Sequence, residues 1–355
     1  MKFQLPKEQA KKCISYVNGV TGESLVLMSA NKNKKKACFE GASNGVYVRV
    51  DYTVDPDEEG IIAVNGTHLG TIKFPTEVNF NAPKDENNNT PKLFFQSGSF
   101  TGEIQTETGA GYIRAQRPQV IDQPRVLVPR DILNKAISAV VFASPIKNSG
   151  IVLKVGPEGL TMHTLDGVRG SLYISQLPDP PSASFECVML SKVFECLKKL
   201  PGGDIYFQSD VGALRSQTDD AFLCYPKLQS EAYDVHRGIV GILQTDRAGF
   251  FKAHAKKLAD TVATVTSVVR GGANYSDKLD FVVNGENLTV AIAGSATQTM
   301  ILEGNTENCT FSVGAKHLQE IITMATGDMD ISIYDTKLLV QSDEGKSTLL
   351  LSLMP

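Results

Sequence analysis

Lysines are the side chains whose type and spacing in this sequence indicate a binding function. Lys7 and Lys11 stand four residues apart, as do Lys252 and Lys256, and each pair lies in a stretch with helix-like apolar spacing. Residues at i and i+4 share one face of a helix. Two cations on one face attract phosphate groups without reading a base sequence, so the pattern indicates non-specific binding of a polyanion.

Further basic residues on predicted helices extend these pairs. For any single lysine the competing interpretation is an ordinary solvated helix face. The excess of basic over acidic residues in the set of predicted helices favours nucleic acid over that interpretation. The phosphate-binding candidates are Lys7, Lys11, Lys12, Arg130, Lys135, Lys192, Lys198, Lys199, Lys252, Lys256, Lys257 and Lys316.

Charge is segregated along the sequence. The six predicted helices cover residues 6–18, 64–72, 128–144, 188–200, 247–270 and 313–326. They hold 14 of the 35 lysines and arginines and 5 of the 39 acidic residues, a net of +9, which leaves −13 on the remaining chain. The overall net charge of −4 therefore hides basic helices in an acidic protein. An acidic remainder would discourage a polyanion from binding elsewhere.

No catalytic or metal-binding motif accompanies the lysines. The sequence lacks G-x-x-x-x-G-K-[ST], H-E-x-x-H and G-x-S-x-G, and its five histidines fall in different predicted elements. Its six cysteines are scattered without a C-x-x-C pair, which argues against a zinc site and a disulfide framework. We predict a protein that is not an enzyme and has no cofactor and no metal. A nuclease or hydrolase assembled from scattered residues is the minor alternative.

Length and hydropathy place the chain among globular proteins of two or three domains, since 355 residues exceed a typical single core. No stretch approaches the roughly 18–20 uncharged apolar residues of a membrane span. The N-terminus, MKFQLPKEQAKK, lacks the apolar region of a signal peptide. We expect a cytoplasmic protein without membrane contact.

Three short stretches share one motif, in which a turn residue, Glu, a small or turn-forming residue and Leu precede a β-like run. They read GESLVLMS at 22–29, PEGLTMHT at 157–164 and GENLTVAI at 285–292. The predicted order helix, strands, helix, strands also recurs around them. In the first stretch, GYIRAQRPQV is predicted to be a closing strand, and Gly66 and Gly70 weaken the second helix. We predict an α+β fold of three repeated domains, 1–122, 123–240 and 241–355, each with two helices and antiparallel sheets.

This triplicated order resembles the DNA polymerase sliding clamp of bacteria and their viruses, the β-clamp or DNA polymerase III beta subunit family. TLDGVRGSLYI at 164–174 is similar to a segment of the second clamp domain, with matches at Asp166, Gly167 and Arg169. AFLCYPKL resembles a clamp domain end, and LLLSLMP resembles the hydrophobic strand and Met-Pro ending of clamps. Departures at Leu165, Val168 and Gly170 indicate a divergent member.

The resemblance implies a processivity factor that encircles double-stranded DNA and slides on it. Helices would line the hole, so the phosphate-binding candidates become DNA-binding candidates. A head-to-tail homodimer would complete the ring through edge strands, with candidates at 100–104 and 268–270. A replicative DNA polymerase and a clamp loader would dock by a short peptide motif. The implied partner-binding residues are Gly167, Arg169, Leu172, Leu228, Leu353, Met354 and Pro355.

Two other interpretations remain open at this point. A repeated β-rich structural protein of a viral particle would explain the triplication and the absence of catalytic motifs, although not the basic helices. A trimeric ring of the proliferating-cell-nuclear-antigen type would keep the function, but such chains have two domains each.

Overall fold

One order of secondary-structure elements occurs three times in the chain. The computed structural model describes residues 1–22, 25–84, 91–141, 150–165, 169–228, 241, 245–267, 278–292, 295–304, 306–325, 327–342 and 347–354. Among these residues, each third of the chain runs strand, helix, four strands, helix, three strands, and the first third adds one short helix. The predicted repeat of two helices with antiparallel strands is thereby confirmed.

The described residues form seven helices and 24 strands. The helices are α1 (Lys7–Thr21), α2 (Gly66–Thr71), α3 (Ala110–Ala115), α4 (Arg130–Val141), α5 (Ser191–Lys198), α6 (Ala255–Ser267) and α7 (Ala315–Met324). The strands of the first repeat are β1 (Lys2–Leu5), β2 (Leu25–Asn31), β3 (Lys36–Ser43), β4 (Val46–Thr53), β5 (Gly60–Asn65), β6 (Val78–Asn81), β7 (Lys92–Ser97) and β8 (Phe100–Glu107). Those of the second are β9 (Val126–Val128), β10 (Gly150–Gly156), β11 (Gly159–Leu165), β12 (Arg169–Ser175), β13 (Phe185–Leu190), β14 (Ile205–Ser209), β15 (Ala213–Gln217) and β16 (Ala221–Pro226). Those of the third are β17 (Gly249–His254), β18 (Lys278–Asn284), β19 (Asn287–Ile292), β20 (Ala296–Ile301), β21 (Cys309–Gly314), β22 (Asp328–Tyr334), β23 (Lys337–Ser342) and β24 (Ser347–Ser352).

The chain divides into two compact units, each with its own sheets. The first unit comprises Met1–Arg130 and Glu195–Lys227, and the second comprises Asp131–Phe194 and Leu228–Pro355. The first holds a 12-stranded sheet in the order β1-β6-β7-β8-β5-β2-β3-β4-β16-β15-β14-β9. The second holds an eight-stranded sheet, β13-β10-β11-β12-β24-β23-β22-β17, and a four-stranded sheet, β20-β19-β18-β21.

Sheets in both units run across the sequence repeats. Strand β16 of the second repeat pairs with β4 of the first, and β12 of the second pairs with β24 of the third. The hydrogen-bonded ladders therefore cross the boundaries expected near residues 122 and 240. The division into domains 1–122, 123–240 and 241–355 stays a prediction from the repeated sequence order.

Helix α1 shows how the sequence builds the first unit. Its buried side chains include Ala10, Ile14 and Val17, which recur at helical spacing and leave the lysines on the opposite face. The helix ends at Thr21 and is followed by Gly22, whose φ of 69° suits the left-handed position after a helix. A Cβ on Gly41 would lie 2.6 Å from Val17 Cγ1, so only glycine lets α1 approach β3 this closely.

In the second unit α6 and α7 pack against each other and against both sheets. Leu258, Val262 and Val265 of α6 share one buried cluster with Leu318 and Ile321 of α7. The apolar residues of each helix lie three or four positions apart, as an amphipathic helix requires. Among the described residues no helix is long and apolar enough to cross a membrane.

Several predicted elements differ from the structure. The predicted helix 247–270 begins with strand β17, because Phe251 and Ala253 alternate into the core while Lys252 and His254 face outward. The ranges 188–200 and 313–326 likewise open with the ends of β13 and β21, and 128–144 with the end of β9. The closing strand predicted in GYIRAQRPQV is wrong. Residues Ala110–Ala115 form helix α3, in which Ile113 is the one buried side chain.

The first copy of the short sequence motif also lies on a different strand of its repeat than the other two copies. The copies at 157–164 and 285–292 fall on β11 and β19, each the second strand after a helix. The copy at 22–29 falls on β2, the first strand after α1. That match is therefore coincidental, and the order of elements carries the repeat. The predicted helix 64–72 does form, as α2, where the Asn65 side chain accepts a hydrogen bond from the His68 amide.

Candidate functional site

The lysines predicted to bind phosphate lie on exposed faces of the helices. On α1, Lys7, Lys11 and Lys12 are all exposed, and the opposite face is buried. Lys135 of α4, Lys192 and Lys198 of α5, and Lys199 directly after α5 are exposed as well. Each of these cations lies outside the apolar stripe of the sequence, which explains why it is exposed to solvent.

The third repeat contributes Lys256, Lys257 and Lys316, which are also exposed. Lys257 Nζ lies 2.5 Å from the Glu303 carboxylate. Both partners are largely in water, so this pair contributes little stability, and a phosphate could replace the carboxylate. Lys192 and Lys316 each occupy the second position of their helix, α5 and α7.

Lys252 and Arg130 differ from the prediction. Lys252 lies on β17, not on a helix, so it is not one turn from Lys256, and its Nζ is 3.1 Å from Asp330. Arg130 donates to three backbone carbonyls, those of Gly203 at 2.8 Å, Leu197 at 3.0 Å and Gly202 at 3.2 Å.

These hydrogen bonds give Arg130 a structural role. Its guanidinium satisfies carbonyls at and after the C-terminal end of α5, where cations are favourable. Burial lowers the pKa of Arg130, and the nearby Tyr16 and Asp204 oppose that effect. A side chain with these three bonds has few donors left for phosphate.

A cation that the sequence analysis missed lies beside α1. Lys73 follows α2 and lines a cavity of about 270 Å³ together with Lys7 and Lys11. Lys7 Nζ lies 3.5 Å from the Pro75 carbonyl, and Glu8 is the one acidic residue in the lining. Lys73 stands in a loop between Ile72 and Phe74, outside any helical pattern, so only the packing of α1 on α2 brings it to the lysine pair.

The charge asymmetry of the helices persists in the structure, in reduced form. The seven described helices hold 11 lysines and arginines and 5 acidic residues. The net is +6 and not the +9 of the predicted ranges, because Arg247, Lys252, Lys199 and Arg270 are not part of the described helices and only Arg114 of α3 is added. Among the described residues no group of three or more His, Cys, Asp or Glu side chains is arranged to hold a metal ion.

The predicted partner residues are brought together in part. Strand β12 pairs with β24, with Arg169 opposite Leu351, so the segment 169–172 lies beside the strand that leads to the C-terminal residues. Leu172 is buried in a small cluster with Tyr334, Leu339 and Leu350. This cluster is on the face of the sheet opposite Leu349 and Leu351, because neighbouring residues of a strand point to opposite faces.

Arg169 is buried and already paired. Its guanidinium contacts the carboxylate of Glu320 on α7, and His317 Nδ1 lies 3.6 Å from the same carboxylate. A single cation buried in the protein is costly unless it is paired, which accounts for the contact. Arg169 thus joins α7 to β12 at the place where the sequence predicted a binding residue.

The remaining partner residues are spread over two places. Leu353 packs against the main core of the second unit, and Met354 is 40% exposed, with its amide bonded to the Ser312 carbonyl. The Leu228 amide bonds to Val188 on the edge strand β13. Three strand spacings separate β13 from β12, so Val188 lies roughly 14 Å from Leu172.

Some predictions fall outside the described residues. These are Gly167 and Pro355 of the partner set and the edge segment 268–270.

Comparison with solved structures finds the same fold over the whole chain. A DNA polymerase sliding clamp from Bacillus subtilis matches with a TM-score of 0.84 at 15% identity, covering 100% of this chain and 99% of that one. A DNA polymerase III subunit beta from Pseudomonas aeruginosa matches with a TM-score of 0.80 at 16% identity, covering 100% of both chains. The beta subunit of DNA polymerase from Streptococcus pyogenes matches with 0.83 at 12%, again covering 100% of both.

Comparison of sequences alone gives a different result. No family model and no curated protein matches the chain. The likeness therefore lies in the backbone. It establishes the α+β sliding-clamp fold with three repeats that the sequence predicted.

Proposed function

We propose that this protein is a DNA sliding clamp, a non-catalytic processivity factor that encircles duplex DNA and tethers a replicative polymerase. The observation that carries the proposal is the triplicated fold, which is matched from end to end by clamps with TM-scores of 0.80 and above. Three domains, 1–122, 123–240 and 241–355, would form half of a ring. Its place of work would be the cytoplasm of a bacterial cell or of a phage-infected host.

Exposed lysines on the helices support the DNA-binding part of the proposal. Lysine is a mobile point charge, so it attracts phosphates without fixing them as an arginine fork would, and this suits sliding. The proposed contacts on helices are Lys7, Lys11, Lys12, Lys135, Lys192, Lys198, Lys256, Lys257 and Lys316, with Lys199 beside them. Arg130 and Lys252 are weaker members, because one binds backbone carbonyls and the other faces out from a strand.

Ring closure requires two free strand edges, and the described residues offer a pair. Strand β8 pairs with β5 only through Ala63 and Val64, which leaves one edge of its first half unpaired, and β20 is an edge strand of the four-stranded sheet. Phe100 on β8 is 42% exposed and Ile301 on β20 is 69% exposed. Unpaired edges with apolar side chains favour strand addition, so we propose a head-to-tail homodimer through β8 and β20.

A polymerase and a clamp loader would dock on the second unit, near Arg169, Leu172, Leu353 and Met354. Met354 supplies an adaptable exposed side chain, and Leu172 lies in a buried apolar cluster on the strand that pairs with β24. Leu228, whose amide bonds to Val188 on the edge strand β13, would lie at the margin of this site.

The test is topological retention on linear DNA. The purified protein is mixed with linear plasmid DNA, both DNA ends are then blocked with bulky protein, and the complex is washed at high salt. We expect retention only when both ends are blocked, and release after the DNA is cut, because a ring can leave only over an end. Retention that does not depend on the ends would contradict encirclement.

Solution mass and negative-stain images complete the test. We expect a closed ring at twice the chain mass with a hole that admits duplex DNA. Ile301→Glu should shift the mass toward the monomer, whereas Val211→Glu, on a fully exposed hairpin tip, should not. Tubes or sheets without such a hole would favour a structural protein of a viral particle.

A further inference from the structure

The first unit contains a cavity on the face of its sheet that is turned away from α1. Its volume is about 380 Å³, and its lining includes Lys36, Tyr47, Arg49, Arg117 and Phe222. We call it the junction cavity, since it lies where β4 of the first repeat pairs with β16 of the second. A volume of this size is in the range of sites that bind small molecules or short peptide segments.

The strand register decides which side chains form the floor. Glu40 pairs with Arg49, Arg49 with Phe222, and Phe222 with Gln217, so one row crosses β3, β4, β16 and β15. Directly opposed residues point to the same face of a sheet. Gly41 contacts α1 from the other face, so this row cannot reach the side on which the lysines of α1 lie.

Two arginines in the cavity are held in place by carboxylates behind them. Arg49 donates through Nε and Nη2 to Asp51 at 2.7 and 3.0 Å, and Arg117 donates through the same two nitrogens to Glu40 at 2.7 and 2.6 Å. In the hydrogen bonds among described residues the Nη1 group of each arginine is unused. The two side chains remain 38% and 43% exposed.

Lys36 adds a third cation, with its Nζ 3.5 Å from Asp51 and its side chain 36% exposed. The carboxylate of Glu40 is 1% exposed and that of Asp51 is 17% exposed, so the cations are the more accessible members of these ion pairs. Asp219 is the one acidic residue exposed at the rim. An approaching ligand therefore meets oriented N–H donors, which bind carboxylates strongly.

Apolar surface lies next to these donors. The Tyr47 and Phe222 rings are 6.0 Å apart at 58°, and Pro118 forms the neighbouring wall. A free inorganic anion would leave this surface unused. A carboxylate next to an aromatic or aliphatic side chain would use both parts of the cavity.

The equivalent place in the second unit has a different chemistry. There β12 pairs with β24, as β4 pairs with β16, and the face away from the core carries Leu172, Leu339 and Leu350 in place of the arginines. We propose that the junction cavity is a second docking site, which takes an acidic segment of a partner protein with an apolar residue between its carboxylates. The proposal does not depend on DNA encirclement.

The experiment measures fluorescence anisotropy of a labelled heptapeptide in which two aspartates flank a phenylalanine, with the full-length protein and no DNA. The matched probe has asparagines in place of the aspartates. We expect the aspartate peptide to bind about tenfold more tightly than the asparagine peptide, because it forms charge-assisted hydrogen bonds. Equal binding of the two peptides would overturn the proposal.

Variants locate the binding site. Arg49→Gln should weaken binding of the aspartate peptide about tenfold, and Phe222→Ser should weaken binding of both peptides. Lys34→Gln removes the same charge in an exposed turn outside the cavity and should leave binding within about twofold. Unchanged affinity in Arg49→Gln, with circular dichroism like that of the wild type, would place the peptide elsewhere and overturn the proposal. Complete displacement by excess inorganic phosphate would assign the cavity to free anions and would overturn it too.

Discussion

Removing Arg117 alone should destabilise the first unit, because it leaves the buried carboxylate of Glu40 without its cation. Glu40 is 1% exposed and accepts two bonds from Arg117 and one of 2.6 Å from the Tyr47 hydroxyl. Burial, together with the charge of Glu40, raises the pKa of Tyr47, so this hydroxyl remains a donor. Arg117→Met removes both bonds from the cation and leaves the carboxylate buried with Tyr47 as its main partner.

The magnitude follows from what each partner loses. Removing one member of a buried ion pair costs about 3–5 kcal/mol, and the 43% exposure of Arg117 screens part of that, so we expect a loss of about 2–3 kcal/mol. Glu40→Gln should cost about 1 kcal/mol, because the amide still accepts a hydrogen bond and Arg117 can reach water. The double variant should also lose only about 1 kcal/mol, since no buried charge is left.

The assay is urea unfolding followed by far-ultraviolet circular dichroism, because the chain contains no tryptophan. Arg114→Met, an exposed change of the same kind on α3, is the matched control and should stay within about 0.5 kcal/mol of the wild type. The reasoning is refuted if Arg117→Met behaves like this control, or if the double variant is as unstable as Arg117→Met.

Three further predictions concern DNA, packing and a thiol. Lys11→Glu should lower DNA retention and reduce its salt dependence, whereas Lys34→Glu in an exposed turn should change it little; retention assays over a salt series check this. Gly41→Val should destabilise the protein by about 2–3 kcal/mol in urea unfolding, since a Cβ at that position already clashes with α1; a value near zero would contradict the close approach. Burial, aided by the charge of Glu307, raises the pKa of Cys309 to about 11. The rate at which Cys309 is alkylated in the folded protein should therefore rise about tenfold per pH unit from pH 8 to 10. Glu307→Gln should speed alkylation at pH 8, and mass spectrometry of the labelled peptide measures both rates.

Sequence periodicity was sufficient for most elements and for the exposure of the cations. The apolar spacing of α1 put Lys7, Lys11 and Lys12 on the solvent face, and the structure agrees. It failed at Lys252, because Phe250 to His254 alternate over too few residues to distinguish a strand from the start of the following helix. It failed also at α3, where a single turn buries one residue and leaves no period to detect.

The sequence by itself determined the order of elements, their threefold recurrence and the sign of charge on the helices, because these depend on neighbours a few residues apart. Only the tertiary structure decided that Arg130 binds carbonyls of the α5 end, that Lys73 joins Lys7 and Lys11, and that Arg49 and Phe222 share one cavity. Those contacts join segments that lie far apart in the sequence. They are fixed by sheet register and helix packing, which no local pattern encodes.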